Sequence, residues 1–261
     1  MKALILAAGL GTRLGQLTEN RPKPMLPIAG KPLLEHTIRW LREYGIRDIA
    51  INVHHFPESI TGYFGDGRGL DVSIRYSREN QLLGTAGAAK RLQAFLDEPF
   101  VAVYGDVLTN LDLDRLLAMH SVTSFGDTHG SVLTMALYAV ANPSECGLVE
   151  LDPTGRVRRF VEKPPPEEVF TDLAFTGIMI CEPVALSYIP SDTYFDVGHD
   201  LIPALLTNHR PIYAEPIREN EFVIDIGTMP GYLRAQSIME ERTSAVTSAP
   251  GREAETRPIG N

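Results

Sequence analysis

Residues 3–14 read ALILAAGLGTRL, a short apolar run that passes directly into a glycine-rich loop. The run from Ala3 to Ala7 contains no polar residue, which is typical of a strand covered on both faces. Gly9 and Gly11 allow backbone N–H groups to turn toward an anion without a Cβ in the way. The stretch therefore predicts a buried first strand followed by a phosphate-binding loop.

Strand and helix patterns alternate after this stretch. Apolar residues recur at helical spacing in residues 33–44 and 86–96, and residues 49–53, 72–76 and 100–104 have the composition of short strands. This alternation predicts an α/β fold with a mixed, mostly parallel sheet and helices on both faces. Further along, the pattern predicts strands at 131–139, 147–151, 157–162, 176–181 and 222–226, and a helix at 200–206. The apolar period stops after Gln236, so we predict a disordered tail at 237–261.

Composition excludes several classes of protein. The chain has 261 residues, 44% of them hydrophobic and 22% charged, which excludes a disordered chain and a small disulfide scaffold. Its net charge of −9 disfavours a nucleic-acid partner. Its two cysteines fit a reducing compartment, and no apolar run approaches the length of a membrane span. We therefore expect a cytoplasmic protein with no membrane partner.

Two basic residues follow the first strand. Leu14 stands where a dinucleotide fingerprint requires glycine, and the loop lacks the Gly-Lys-Ser/Thr of a Walker A motif. The loop is therefore either a phosphate-binding loop of a different type or a plain connecting loop. Arg13 could hold a leaving pyrophosphate with two hydrogen bonds. Lys23 lies between two prolines, which restrict its position and suit it to neutralise a phosphoryl group; the alternative is a solvated lysine.

These segments resemble the signature of the sugar-1-phosphate nucleotidyltransferases. The first matches are LAAGLGTRL at 6–14 and PKPMLP at 22–27, and the others follow in order: LGTAGA at 83–88, YGD at 104–106, EKP at 162–164, FTGI at 175–178 and DIGT at 225–228. The resemblance implies a Rossmann-like nucleotidyltransferase fold in one catalytic domain, residues 1–236, without a C-terminal β-helix domain. It implies a nucleotide-binding half at 1–110 and a sugar-phosphate-binding half at 111–236. The LGTAGA segment looks like the guanylyl branch of the family.

The resemblance also implies a reaction and a set of site residues. A nucleoside triphosphate and a sugar 1-phosphate, or a sugar-like cyclitol phosphate, would form a nucleotide sugar and pyrophosphate. Arg13 and Lys23 would be catalytic. Asp106 and Asp225 each follow an apolar run, and two converging carboxylates would bind Mg²⁺. The nucleotide-binding positions would be Leu6, Ala8, Gly9, Gly11, Thr12, Glu79, Gly84, Thr85 and Ala86. The sugar-phosphate-binding positions would be Gly147, Glu162, Lys163, Thr176 and Gly177.

The base and the sugar are less closely defined. Glu79 stands where thymidylyl- and uridylyltransferases often carry Gln, and a carboxylate that only accepts hydrogen bonds suits the two N–H groups of guanine. We therefore expect GTP as the nucleotide donor, with dTTP or UTP as the alternative. Gln81 is the alternative residue for hydrogen bonding to the nucleobase. Cys146 and Phe175 replace the Tyr and Asn that many relatives carry near the sugar pocket, so the sequence does not identify the sugar.

Two other functions compete with this reading. A non-catalytic nucleotide-sugar sensor could share the fold, but such a protein would be expected to lose Arg13, Lys23 or a metal-binding aspartate, and all four residues are present. A glycosyltransferase that uses a nucleotide sugar would form no pyrophosphate. The resemblance further implies homo-oligomers.

Overall fold

The computed structural model describes residues 1–125 and 130–248, which build one large mixed sheet with helices on both faces. The strands are β1 (Lys2–Leu6), β2 (Pro27–Ile28), β3 (Lys31–Pro32), β4 (Asp48–Val53), β5 (Ser73–Arg78), β6 (Phe100–Tyr104), β7 (Val107–Thr109), β8 (Leu133–Ala139), β9 (Gly147–Leu151), β10 (Val157–Glu162), β11 (Leu173–Cys181), β12 (Ile212–Pro216) and β13 (Val223–Asp225). The α-helices are α1 (Leu33–Glu43), α2 (Pro57–Phe64), α3 (Gly84–Arg91), α4 (Leu113–Phe125), α5 (Ile202–Thr207) and α6 (Met229–Ser248).

The apolar first strand lies in the centre of the large sheet. β1 pairs in parallel with β4 and with β6, and β4 pairs in parallel with β5. On the other side, β11 pairs antiparallel with β6, and it also pairs with β8 and β9. β10 and β12 complete this part of the sheet. The predicted mixed α/β sheet, with its parallel strands around β1, is confirmed.

Helices cover both faces because β1 is apolar on both. Leu4 belongs to a core cluster that includes Ala86 of α3 and Ile202 of α5. Its neighbours Ala3 and Ile5 point to the opposite face, where α1, α2 and α4 pack. Successive side chains of a strand alternate between faces, so a strand without polar residues must be buried on both.

Two predicted helices begin or end at other residues. The helix predicted at 86–96 spans only Gly84–Arg91. The helix predicted at 200–206 is preceded by a π-helical turn, Val197–Leu201. That turn begins earlier because the Asp196 side chain accepts hydrogen bonds from the N–H groups of Gly198 and His199.

The predicted disorder of residues 237–261 is wrong for residues 237–248, which belong to helix α6; residues 249–261 lie outside the described part. The reason is an anchored first half. Ala235 is fully buried, and Ile238 and Met239 pack on a cluster that includes Leu26 and Ile28. Once this half is formed, each further residue adds a hydrogen bond without a new nucleation cost.

The described residues form no β-helix domain. Among the same residues, no helix combines the length and the apolarity that crossing a membrane requires.

Candidate active site

A cleft of about 230 Å³ opens at the carboxyl ends of β1, β4 and β6. Ligands of open α/β sheets bind at this edge because the loops that follow parallel strands converge there. The cleft is lined by Leu6, Ala7, Ala8, Gly9, Lys23, Pro24, Asn52, Glu79, Leu82, Gly84, Thr85, Tyr104, Asp106, Tyr194 and Asp196. The structure thus brings Leu6, Ala8, Gly9, Glu79, Gly84 and Thr85 of the expected nucleotide positions to one cleft.

Gly11 and Thr12 shape the loop without lining the cleft. Gly11 is buried with φ 71°, and an ideal Cβ there would lie 3.1 Å from Cγ of Lys23. Its carbonyl accepts a hydrogen bond of 2.9 Å from the Thr18 hydroxyl. A side chain at Gly11 would therefore displace Lys23. Thr12 is exposed and begins a 3-10 helix, Thr12–Thr18.

Lys23 and the two expected metal ligands meet at the edge of this cleft. Lys23 is 9% exposed, and its Nζ lies 2.9 Å from Oδ2 of Asp106. Asp106 follows β6 after one residue, Gly105. Asp225 pairs with Val107 in the small β7–β13 sheet, and the N–H of Ile226 donates to the Asp106 carbonyl at 2.9 Å. The antiparallel pairing of β7 with β13 therefore places the two aspartates beside each other.

The charges of Asp106, Lys23 and Arg13 all act on the carboxyl group of Asp225. Burial raises the pKa of Asp225, and the negative charge of Asp106 raises it further. The N–H of Gly227, which donates to Oδ1 of Asp225 at 2.6 Å, and the charges of Lys23 and Arg13 oppose that rise. Arg13 is an exposed residue of the 3-10 helix Thr12–Thr18. An ideal Cβ on Gly227 would lie 2.9 Å from its Nη2, 3.0 Å from Nζ of Lys23 and 2.7 Å from Oδ1 of Asp225, so the three groups converge at Gly227.

On the nucleotide side, Glu79 is 3% exposed and belongs to a hydrogen-bonded chain. Its Oε1 accepts from the Asn52 amide at 2.8 Å, and its Oε2 accepts from the N–H of Leu83 at 3.0 Å. The side-chain oxygen Oδ1 of Asn52 in turn accepts from the N–H of Ala7 at 2.7 Å. Asn52 was missed by the sequence analysis, although a polar residue within the apolar run IAINV of β4 was a usable signal.

Ala86 does not line the cleft. It is buried, and its N–H donates to the Phe195 carbonyl at 3.0 Å, so the start of α3 is partly occupied by the protein itself. Tyr104, Tyr194 and Asp196 also line the cleft and were not assigned from the sequence. The signal for Tyr104 was its place directly before Gly105-Asp106.

Two of the expected sugar-phosphate residues, Gly147 and Lys163, lie beside a third, Glu162. Gly147 pairs with Glu162 across β9 and β10, and an ideal Cβ on Gly147 would lie 2.5 Å from Oε2 of Glu162. Burial raises the pKa of Glu162; the positive charge of Lys163 opposes this and the negative charge of Asp196 adds to it. The Lys163 Nζ lies 3.6 Å from Oε1 of Glu162, and its side chain is largely exposed. The Glu162 carboxylate thus lies close to the Gly147 backbone and near the flexible, exposed side chain of Lys163.

Two further positions face inward from β11. The Thr176 hydroxyl is buried and donates to the Ala136 carbonyl at 2.9 Å, so this side chain ties β11 to β8. Gly177 has φ 81°, and an ideal Cβ there would lie 2.9 Å from the ring of Tyr104. Phe175 packs edge-on against the same ring, with centroids 5.8 Å apart. Tyr104 therefore connects the nucleotide side of the cleft with β11.

Known proteins resemble this chain over most of its length. The sequence profile of the nucleotidyl transferase family matches residues 2–242. A UTP–glucose-1-phosphate uridylyltransferase of Synechocystis is 37% identical over 272 residues, covering 99% of this chain and 68% of that protein. A mannose-1-phosphate guanylyltransferase of Mycobacterium tuberculosis is 34% identical over 207 residues, covering 79% of this chain and 55% of that protein.

A solved structure supports the fold alone. It is described as a proposed glucose-1-phosphate thymidylyltransferase from Bacillus anthracis, and it superposes with a TM-score of 0.80 at 23% identity. The match covers 91% of this chain and 94% of that one. The chain spans about two thirds of the length of the Synechocystis relative and about half of the mycobacterial one.

Proposed function

The chain belongs to the nucleotidyl transferase family, and from this premise we propose that it transfers a nucleotidyl group from a nucleoside triphosphate to a sugar 1-phosphate and releases pyrophosphate. The observation that carries the proposal is the meeting of Lys23, Asp106 and Asp225 beside the cleft. A cation and two carboxylates beside the sheet edge where parallel strands end suit a phosphoryl-transfer centre.

The reaction asks the protein mainly to position two anions and to offset their charge. An oxygen of the sugar phosphate attacks the α-phosphorus, and the bond from that phosphorus to the pyrophosphate oxygen breaks as the new P–O bond forms. The loop at Ala8 and Gly9 lies where its backbone can face the triphosphate. Arg13 and Lys23 would neutralise the pyrophosphate and the reacting phosphoryl group.

Asp106 and Asp225 fit a divalent cation. The two carboxylates are close enough for the charge of Asp106 to raise the pKa of Asp225, and a cation between them would relieve that repulsion. Within residues 1–125 and 130–248, no cluster of three or more His, Cys, Asp and Glu side chains is arranged to hold a metal. Mg²⁺ is often bound by one or two carboxylates together with substrate phosphates, and we propose this ion. When bound, it would offset the charge of the reacting phosphates.

We propose GTP as the donor. Glu79 is buried and lines the cleft. Each of its carboxylate oxygens already accepts one hydrogen bond from the protein, so the carboxylate is fixed in place. Its remaining lone pairs can only accept, which matches the adjacent N1–H and N2–H of guanine. The guanylyltransferase relative from Mycobacterium tuberculosis supports the same choice.

UTP is the second candidate, and one observation favours it. The Synechocystis relative, a uridylyltransferase by name, matches 99% of this chain at 37% identity. For the acceptor we propose a hexose 1-phosphate, because the two relatives are named for glucose 1-phosphate and mannose 1-phosphate.

The test is pyrophosphate release with Mg²⁺ across GTP, UTP, dTTP, ATP and CTP, each combined with a panel of sugar 1-phosphates. We expect release only when both substrates are present, and fastest with GTP. Release with UTP or dTTP in preference to GTP would overturn the base assignment and leave the reaction standing. No release with any pair would overturn the reaction itself.

Two variants sharpen the base assignment. Glu79→Gln exchanges an acceptor for a group that also donates, so we expect kcat/KM with GTP to fall about 10- to 100-fold relative to UTP. Gln81 is exposed and does not line the cleft, so Gln81→Ala is the matched control and should leave the ratio unchanged. The reverse result would assign the base to Gln81.

A further inference from the structure

Residues 193–200, called the connector here, touch both sides of the cleft. The N–H of Phe195 donates to the Leu83 carbonyl at 2.8 Å. The Phe195 carbonyl accepts from Ala86 and Gly87 at 3.0 and 2.9 Å. The connector is therefore docked on the first turn of α3, on the nucleotide side.

Asp196 is the residue of the connector whose carboxylate contacts both α3 and the turn Val197–Leu201. Its Oδ2 accepts the Thr85 hydroxyl at 2.8 Å, and the Thr85 oxygen accepts the N–H of Val197 at 2.7 Å. Its Oδ1 accepts the N–H groups of Gly198 and His199 at 2.8 and 3.1 Å. One carboxylate thus joins Thr85, which lines the nucleotide cleft, to the turn Val197–Leu201 at the end of the connector.

The turn held by Asp196 lies against Glu162. An ideal Cβ on Gly198 would lie 2.4 Å from Oε2 of Glu162, and one on Gly147 would lie 2.5 Å from the same oxygen. The Glu162 carboxylate therefore occupies a slot between two glycine backbones. One wall of that slot, Gly198, is placed by its hydrogen bond to Asp196.

A simple helix cap does not account for this arrangement. An N-cap aspartate needs to accept only from the N–H groups of the next turn, which Oδ1 does here. The Oδ2 bond to Thr85 is additional, and it is the bond that connects the turn to the other side of the cleft. Asp196 also lines the cleft itself.

We propose that Asp196 is a positioning residue that sets the place of the Glu162 carboxylate from the nucleotide side of the cleft, through Thr85 on one oxygen and Gly198 on the other. The inference rests on the proposed function, together with the role in binding the sugar phosphate that the family resemblance implies for Glu162. It predicts that a change at Thr85, on the nucleotide side, weakens the binding of the sugar phosphate.

The experiment is steady-state kinetics with the nucleoside triphosphate saturating and the sugar phosphate varied. Thr85→Val removes the hydroxyl and keeps the shape, and we expect it to raise the KM for the sugar phosphate about tenfold. Thr85→Ser restores the hydroxyl and should bring that KM back to within about twofold. Asp196→Ala should have an effect like that of Thr85→Val, and the double variant should add little because both changes break one link.

The matched control is Thr193→Val. Thr193 is an exposed threonine of the same connector whose hydroxyl donates to the Ser191 carbonyl at 3.1 Å, so its loss should leave the KM for the sugar phosphate unchanged. If Asp196→Ala fails to fold, the Val and Ser variants of Thr85 still decide, because both leave the cap at Asp196 intact.

The outcomes are distinct. An active wild type in which Thr85→Val leaves the KM for the sugar phosphate unchanged overturns this inference alone, as does a Thr85→Ser variant as impaired as Thr85→Val. A wild type that transfers no nucleotidyl group removes the proposed function and this inference with it.

Discussion

Lys23 combines a restrained backbone with a nearly buried charge. Pro22 and Pro24 flank it, and its Nζ contacts Asp106 at the edge of the cleft. A buried cation that is already in place needs no reorganisation when charge develops on a phosphoryl group. The sequence could indicate Lys23 because the two prolines that restrain it are its neighbours in the chain. Its partner Asp106 lies 83 residues further along, between β6 and β7.

Lys23→Met should lower kcat for nucleotidyl transfer by about 10²- to 10³-fold, the usual effect of removing one preorganised charge-stabilising group. Single-turnover measurement of pyrophosphate release would check it. Lys31→Met removes a half-exposed lysine from the surface and should leave kcat unchanged. A Lys23→Met enzyme with wild-type kcat would contradict a catalytic role.

At the scale of elements, helix α6 shows why local pattern was insufficient at the end of the chain. Its residues after Met239 lack an apolar period. Gln236 attaches its first half to the β2–β3 hairpin: the side-chain amide donates to the Pro27 carbonyl at 2.8 Å, and the N–H of Ala29 donates to the amide oxygen at 3.0 Å. These partners are far apart in the chain, so composition alone predicted disorder.

Gln236→Ala should lower the free energy of unfolding by about 0.5–1.5 kcal/mol, since it removes the hydrogen bonds that hold α6 on the hairpin. Urea unfolding followed by circular dichroism would measure it. The exposed Gln93 on the surface after α3 provides the control, and Gln93→Ala should change stability by less than about 0.5 kcal/mol. Equal losses in the two variants would argue against the docking of α6 through Gln236.

Helix α4 places a histidine in the core. His120 is buried, with Nδ1 2.8 Å from the Thr134 hydroxyl and Nε2 3.2 Å from Oε1 of Glu182. Burial lowers the pKa of His120, and the carboxylate of Glu182 opposes that effect. The unfolded chain therefore binds a proton at a higher pH than the folded protein does.

Stability should consequently fall as the pH drops below about 6.5, the ordinary pKa of histidine, with a slope from this group of at most about 1.4 kcal/mol per pH unit. His120→Gln should flatten that slope in denaturant unfolding measured from pH 7 downward. His209 is exposed with φ 56°, a conformation that asparagine tolerates, so His209→Asn should keep the wild-type slope. An unchanged slope in His120→Gln would assign the acid sensitivity elsewhere.

At the scale of the whole molecule, a buried ion network ties distant segments together. Arg115 of α4 forms ion pairs with Glu215 of β12 and with Glu221, whose Oε2 lies 2.8 Å from Nη2. Glu221 also accepts the N–H groups of Asp112 and Arg218. The network fixes the segment that leads into β13, and β13 carries Asp225 to the cleft.

Arg115→Met should lower the free energy of unfolding by about 3–5 kcal/mol, because it leaves two carboxylates without their buried partner. Thermal unfolding would report it as a large loss of Tm. The exposed pair of Arg68 and Asp66 is the control, and Arg68→Met should cost less than about 1 kcal/mol. A loss below about 1 kcal/mol in Arg115→Met would show that the network holds little of the fold.

The sequence by itself determined the central strand, the glycine-rich loop, the restrained Lys23 and the order of the site segments, because each depends on neighbouring residues and on short-range periodicity. Only the tertiary structure decided that Asp106 and Asp225 lie side by side, that Asn52 fixes Glu79, and that Asp196 joins Thr85 to the slot of Glu162. These contacts depend on strand pairing and packing between segments distant in the chain. No local pattern encodes which distant partner a polar side chain will meet.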